Sequence, residues 1–207
     1  MKNRNNRSVR FAQFLNQYEA SGYAGSQGYD VENLRQLSGE EKLVVERLLI
    51  ARMAKNDTRI PSALVAVNSG KALEALQRKL LEVKPPHIFH AVVCKALWEI
   101  TKSKEFQKAL IDDLTIENEL FRINILIMLG EMVPDNESVS RLKQLLKADP
   151  SHRARAAAGR TLLFWAGKIE NPNSLDHQFR NLNFEIINSD EKTSQVGVER
   201  LLKLIET

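Results

Sequence analysis

The chain has 207 residues, of which 43% are hydrophobic, and its 30 basic and 26 acidic side chains give a formal net charge of +4. A compact fold of this length buries about 70% of its unfolded surface, so it needs no metal or disulfide for stability. Cys94 is the one cysteine, which excludes an intrachain disulfide and fits a reducing compartment. We therefore expect a soluble, cytoplasmic protein.

The first ten residues, MKNRNNRSVR, are basic and contain no acid, so the other 197 residues are balanced in charge. The segment lacks the apolar run of a signal peptide. The longest apolar runs of the chain are much shorter than the roughly 20 residues of a membrane span, and we expect no membrane partner. The arm is interpreted as a solvated terminus, and contact with phosphates is its alternative.

Residues 1–38 are predicted to form a basic arm, a short helix and a loop rich in glycine and tyrosine, SGYAGSQGYD. This loop lacks the strand-to-helix context of a dinucleotide site, and we interpret it as a linker or as a loop that orders against a partner. Helical signals begin in earnest at residue 39. We therefore place a domain boundary there, with a helical repeat domain over 39–207.

Three helices are predicted in the first part of this domain. Ser38 with Glu41 three residues later has the pattern of a capping box and begins a helix through LSGEEKLVVERLLIARMAKN. The segment DTRIPSALVAVNS predicts a short helix with Pro61 in its first turn. Ser69 begins the next helix, which has apolar residues at helical spacing and ends at Pro85.

The later helical segments come in pairs, and strand signals are nearly absent. The pairs are KEFQKALIDDL with ENELFRINILIMLGEM, ESVSRLKQLLKAD with SHRARAAAGRTLLFWAG, and DHQFRNLNFEIINSD with KTSQVGVERLLKLIE. The pattern predicts an all-α protein built of antiparallel helix pairs.

The pairs also have a period. Arg59, His90, Arg122 and Arg155 are separated by 31, 32 and 33 residues, and a regular spacing of this size indicates a repeat protein. We call these four residues the anchors. The segments that follow them align as IPSALVAV, AVVCKALW, INILIMLG and AAAGRTLL. A fifth copy is expected near Val196, displaced by an insertion around GKIENPNS.

The fourth copy, LLKADPSHRARAAAGRTLL, resembles the HEAT repeat, in particular the short form of bilin-lyase-like HEAT proteins. The resemblance rests on Asp149, Pro150, Arg155 and the alanines 156–158, and it extends over residues 39–207. It implies a right-handed α-solenoid of four to five antiparallel helix pairs, with an N-terminal helical extension. In the second copy Pro86 and His90 stand where the family has an acid and an arginine, so a ladder of Asp and Arg pairs is expected to be interrupted there.

The alanine-rich helix has a physical explanation in such an architecture. A two-helix repeat cannot bury its apolar stripe alone, so repeats stack and small side chains allow the helices to approach closely. We expect Asp149 and Pro150 to form the turn, and Ser151 or Asp149 to cap the helix. Arg155 is expected to reach an acid or a carbonyl group in an adjacent turn.

Catalytic and cofactor motifs are missing from the sequence. His87 and His90 have a spacing that could place two ring nitrogens on one helix face, but no third ligand stands at a matching spacing, and Cys94 is interpreted as a small core residue. There is no phosphate loop, nucleophile elbow or zinc-protease motif. We therefore expect no enzyme activity, no cofactor and no metal.

Equivalent positions of successive repeats provide a candidate binding surface on the concave face formed by the second helices. Five residues after each anchor come Leu64, Lys95, Ile127 and Arg160, and nine residues after come Glu99, Glu131 and Phe164. The predicted partner-binding residues are Lys95, Glu99, Ile127, Glu131, Arg160, Phe164 and Trp165. Their mixed charge suits a protein or peptide better than nucleic acid, and solvated helix faces without a partner are the alternative.

Three functions are compatible with the sequence. The first is a non-enzymatic scaffold or adaptor that binds a protein or peptide. The second is nucleic-acid binding of the kind that HEAT-like alkylpurine glycosylases would imply, for which Trp98, Trp165, Arg153 and Arg160 are the residues of interest. The third is a bilin-lyase-like role, which the resemblance alone implies and which a buried Cys94 would not favour. The sequence contains no signal for the oligomeric state.

Overall fold

The computed structural model describes residues 8–20, 28–171 and 177–206, with the side chains of 177 and 178 left out. Every regular element in these ranges is helical, and no strand occurs among them. This confirms the all-α prediction. Most of the glycine- and tyrosine-rich loop and the first seven residues of the basic arm lie outside the described residues.

The helices of the first half are α1 (Val9–Glu19), α2 (Val31–Arg35), α3 (Gly39–Met53), α4 (Ile60–Val67), α5 (Gly70–Glu82) and α6 (Ile88–Thr101). Those of the second half are α7 (Lys104–Asp112), α8 (Glu119–Gly130), α9 (Asn136–Ala148), α10 (His152–Trp165), α11 (His177–Ile186) and α12 (Glu191–Glu206), with a 3-10 turn at Asp113–Thr115. No helix among the described residues is long and apolar enough to cross a membrane.

The chain divides into two compact units. The first comprises the described residues up to Lys84 together with Val92–Ser103, and the second comprises Pro85–Ala91 together with the described residues from Lys104 onward. The boundary that the sequence predicts between residues 38 and 39 stays a prediction.

In the first unit, local capping sets where the helices begin. The predicted capping box of α3 is present, because Ser38 accepts a hydrogen bond from the N–H of Glu41 and the Glu41 side chain accepts one from the N–H of Ser38. Ser69 caps α5 and Pro61 lies in the first turn of α4, both as predicted. These outcomes follow from side chains that satisfy the free N–H groups at a helix start.

Helix α1 packs through aromatic side chains. Phe11 and Phe14 are buried, and the ring centroid of Phe14 lies 5.6 Å from that of Tyr18 and 5.7 Å from that of Tyr29. Ser8 caps α1 and also donates to the carboxylate of Glu41, from its backbone N–H at 2.8 Å and from its hydroxyl at 2.9 Å. The sequence predicts a solvated terminus over the first ten residues, whereas the folded region already includes Ser8 and the residues that follow it.

In the second unit, α8 and α10 lie side by side and run parallel. At their starts the Ser151 hydroxyl donates to the Glu119 carboxylate at 2.6 Å. Near their middles the Thr161 hydroxyl donates to the carbonyl of Leu126 at 3.1 Å. Just past α8, the indole N–H of Trp165 donates to the carbonyl of Met132 at 3.1 Å. The contacts at the start, middle and end join residues that are 32, 35 and 33 positions apart in the sequence.

The alanine-rich helix α10 is buried along most of its length. Its residues 154–159 and 161–163 are all shielded from solvent. Gly159 shows how close the packing is, since a Cβ atom there would lie 2.7 Å from Cδ1 of Leu201 on α12. Ser151 is the residue that caps the helix, while Asp149 ends α9. The small side chains therefore serve close helix packing, as predicted.

The last helix pair departs from the preceding arrangement. Helix α12 packs against both α9 and α10, and α11 also contacts α10. Helices α11 and α12 approach closely, because a Cβ atom on Gly197 would lie 2.8 Å from Cβ of Glu185 and 3.0 Å from the backbone N of Ile186. Val196 lies inside α12, which begins at Glu191. The consequence is that α11 covers part of α10.

Candidate functional site

The anchors of the second unit form buried polar contacts. Arg122 is the clearest case, since its Nε and Nη2 donate to the two carboxylate oxygens of Asp149 at 3.0 Å each, and its Nη1 donates to the carbonyls of Ile116 and Glu117. This two-pronged geometry is the strongest form of an arginine and carboxylate pair. Its role is to tie α8 to the turn before α10.

Arg155 binds in a related way. Its Nε donates to the backbone carbonyl of Asp149 at 2.6 Å, and its Nη1 donates to the carboxylate of Glu191 at 2.8 Å. The expectation that it reaches an acid or a carbonyl group is confirmed, and it reaches both. Hydrogen bonding to Gln195 and Arg155 holds the pKa of Glu191 below its ordinary value.

At His90 no arginine forms a pair with an aspartate, as expected, but contact with a carboxylate is kept. Nδ1 of His90 lies 2.6 Å from Oδ2 of the fully buried Asp113, whose other oxygen accepts the backbone N–H of His87 at 3.0 Å. A histidine therefore takes the place of arginine and keeps a carboxylate partner. At Arg59 the partner is local instead, because the guanidinium pairs with Asp57 two residues earlier. That pairing holds the pKa of Asp57 below its ordinary value.

The histidine pair is occupied by hydrogen bonds in the structure. Nδ1 of His87 accepts the backbone N–H of Phe89 at 3.0 Å, while Nδ1 of His90 faces Asp113. These contacts give both rings a role in shaping the start of α6. The thiol of Cys94 is buried, in agreement with its interpretation as a core residue.

Two lines of side chains follow the solvent side of α8 and α10, and we call them together the α8/α10 face. Their members are Leu120, Asn124 and Ile127 on α8 with Glu131 directly after it, and Arg153, Ala157, Arg160 and Phe164 on α10. Ala157 is buried, whereas the other seven keep at least part of their surface in solvent. Successive members are three or four residues apart and so lie on one side of a helix. Each member on α10 follows its counterpart on α8 by 33 residues.

The structure brings most of the predicted binding residues onto this face. Glu131 is exposed, and Ile127, Arg160 and Phe164 are half-buried. Trp165, at the end of α10, is half-buried beside it. Apolar, aromatic and charged side chains are therefore mixed along the two parallel helices.

The other two predicted residues, Lys95 and Glu99, belong to the first unit. Lys95 retains only 8% of its exposure and forms an ion pair with Glu99. The ammonium groups of Lys95 and Lys102 also lie 5.4 Å and 4.2 Å from the ring centroid of Trp98. The sequence treated Lys95 as an exposed surface position, and its packing over Trp98 makes that expectation wrong.

The residues of interest for nucleic-acid binding, Trp98, Trp165, Arg153 and Arg160, differ in their burial and in their contacts. Trp98 is buried and Trp165 donates its N–H to a carbonyl group. Arg153 is exposed but pairs with Glu119 at 3.1 Å. Single-stranded nucleic acid requires exposed aromatic rings along a basic groove. These four residues do not form such an arrangement.

Sequence reasoning missed Leu120, which is 55% exposed. It stands two residues before the anchor Arg122, whereas the predicted binding surface was built from positions five and nine residues after the anchors. The signal was available, because Leu120 and Arg153 occupy equivalent positions of successive repeats. An apolar residue at a position that another repeat fills with arginine indicates a solvent-facing site.

Comparisons of the chain with protein-family models, curated proteins and solved structures find no match. The HEAT-like interpretation therefore rests on the repeat pattern itself. The functional interpretation rests on the chemistry of the α8/α10 face.

Proposed function

We propose that the chain is a non-enzymatic, HEAT-like α-solenoid that binds a protein or peptide on the α8/α10 face. The repeat spacing, the paired helices and the parallel packing of α8 on α10 support the architecture. The right-handed form is what the resemblance to HEAT repeats implies. The binding role is supported by the surface that this packing leaves in contact with solvent.

The observation that carries the proposal is the apolar character of this face. Leu120 is 55% exposed, and Ile127 and Phe164 keep part of their surface in solvent on the same two helices. Glu131 and Arg153 provide charge around them. Apolar and aromatic groups surrounded by charged ones are typical of protein interfaces, where a few large side chains supply most of the binding energy.

Charge favours a protein partner over nucleic acid. A groove that follows phosphates needs several accessible cations and few acids. On this face Glu131 is exposed and the Arg153 guanidinium is already paired with a carboxylate. The mixture would repel as well as attract a polyanion.

Photo-crosslinking in the native cell tests the proposal. The photoreactive residue benzoylphenylalanine replaces Leu120 or Phe164 in separate variants. It replaces Leu81 on α5 in the control, since Leu81 is 88% exposed in the first unit. We expect both α8/α10-face variants to give an adduct of one common mass and the Leu81 variant to give none of that mass. Adducts from Leu81 alone, or from no position, would overturn the proposal.

A further inference from the structure

Arg160 differs from the anchor arginines because it has no acidic partner among the described residues. Arg59, Arg122 and Arg155 each bind a carboxylate. The Nε of Arg160 is buried, and no described residue accepts a hydrogen bond from it. A guanidinium is normally retained in such a place only when a partner compensates its charge.

The surroundings of Arg160 are apolar or neutral. Its side chain lines a cavity of about 10 Å³ between α10 and α11, together with Leu163, Phe179 and Asn183. Oδ1 of Asn183 is also buried without a hydrogen-bond partner in the described structure. A small shift that joined Arg160 to Asn183 would satisfy both atoms, but a carboxamide is neutral, so the guanidinium charge would remain uncompensated. Burial lowers the pKa of Arg160 from its ordinary value.

Arg160 is also well placed to meet a ligand. Thr161, the next residue, donates to the carbonyl of Leu126, so Arg160 lies level with Ile127 on the neighbouring helix. Phe164 follows one turn later on the same side of α10. Arg160 keeps part of its surface in solvent, as do Ile127 and Phe164.

We propose that Arg160 is the recognition cation of this face, and that the partner is an acidic peptide whose carboxylate binds Arg160 while adjacent apolar side chains contact Ile127 and Phe164. The inference rests on the proposed function and specifies the partner's chemistry. A half-buried cation whose buried Nε has no hydrogen-bond partner is unfavourable in the free protein, and a bound carboxylate would compensate its charge. Arg160 would then lower the stability of the free chain in exchange for selectivity.

The test selects peptides against the full chain from a display library of random 12-residue peptides. Wild type is compared with Arg160→Met, which keeps the length and apolar stem of the side chain. The matched control is Arg141→Met on α9, where Arg141 bonds only to Gln144 among the described residues. Selected peptides are synthesised with a fluorophore and titrated by anisotropy, each also in a form with its acidic residues changed to the neutral amides.

We expect the wild-type pool to be enriched in Asp and Glu next to apolar residues. Arg160→Met should lower the affinity for these peptides by about tenfold to a hundredfold, as for loss of a charge-assisted hydrogen bond. Arg141→Met should change the affinity by less than about twofold, as expected for a surface position. The amide forms should bind wild type and Arg160→Met equally weakly. Meanwhile the melting temperature of free Arg160→Met should equal or exceed that of wild type.

Two results would overturn this inference and are distinguishable from failure of the proposed function. Peptides that compete with one another at the α8/α10 face but show no acidic preference would leave the scaffold proposal standing and reject the role of Arg160. The same holds if amide substitution weakens binding equally in wild type and Arg160→Met. Selection of no peptide that binds this face would reject both proposals.

Discussion

Single residues in the second unit show how polar contacts near helix starts can be kept while the residue types change. Arg122, Arg155 and His90 all reach a carboxylate, although the residue types and the positions of the acids differ. In each case a cationic or hydrogen-bonding side chain near the start of a helix contacts a carboxylate at a turn or at a helix end. Geometry, rather than the Asp and Arg pattern in the sequence, sets the pairing.

Replacing Arg122 by Met should destabilise the chain by about 3–5 kcal/mol, because the buried Asp149 carboxylate would lose its compensating charge. Arg122→Lys should fall between wild type and Arg122→Met, since it keeps the charge but loses the two-pronged geometry. Urea denaturation followed by circular dichroism measures both. If Arg122→Met proved as stable as wild type, the pairing would contribute nothing to the fold.

Glu41 predicts a pH dependence of stability. Hydrogen bonds from the backbone and hydroxyl of Ser8 hold its pKa below the ordinary value of 4.5. A depressed folded-state pKa gives stability that is present above the unfolded value and is lost as pH falls through the folded one. The stability difference between wild type and Glu41→Gln should therefore be largest near neutral pH and shrink below about pH 4. Denaturation at several pH values measures this difference. If the Glu41 carboxylate did not contribute to stability, the difference between wild type and Glu41→Gln would not change with pH.

At the scale of helices, what the sequence could predict was set by local chemistry. The starts of α3 and α5 were predictable because Ser38 and Ser69 are caps whose effect depends on residues three positions away. The packing of α11 against α10 was not, because it depends on contacts between distant segments. Lys95 shows the same limit: its spacing placed it on a helix face, but its burial depends on Trp98.

Two glycines allow a test of how the helices at the end of the chain pack. Gly197→Ala should destabilise by about 1–3 kcal/mol, since the new methyl group would meet the backbone of Ile186, which cannot move aside. Gly159→Ala should cost less, because the atom in its way is the end of the Leu201 side chain and alanine favours the helix. Thermal melts measure both variants. A Gly197→Ala variant more stable than Gly159→Ala would contradict this packing.

At the scale of the whole molecule, the all-α class followed from periodicity, and the structure confirms it for the described residues. The arrangement of the helices as antiparallel repeat pairs stays a prediction. The candidate site followed only in part. Counting from the anchors found Ile127, Glu131 and Phe164, which lie on the α8/α10 face, but it overlooked Leu120 and gave no indication that Arg160 lacks an acid. Such a lack is visible only when all neighbours of a side chain are known.

Binding of a partner at the α8/α10 face can be observed directly by methyl NMR. Isoleucine and leucine methyl signals are recorded while a selected peptide is added to the full chain. We expect the signals of Leu120 and Ile127 to shift with one common saturation curve, while the signal of the exposed Leu81 stays in place. Saturable shifts at Leu81 with Leu120 and Ile127 unmoved would contradict it.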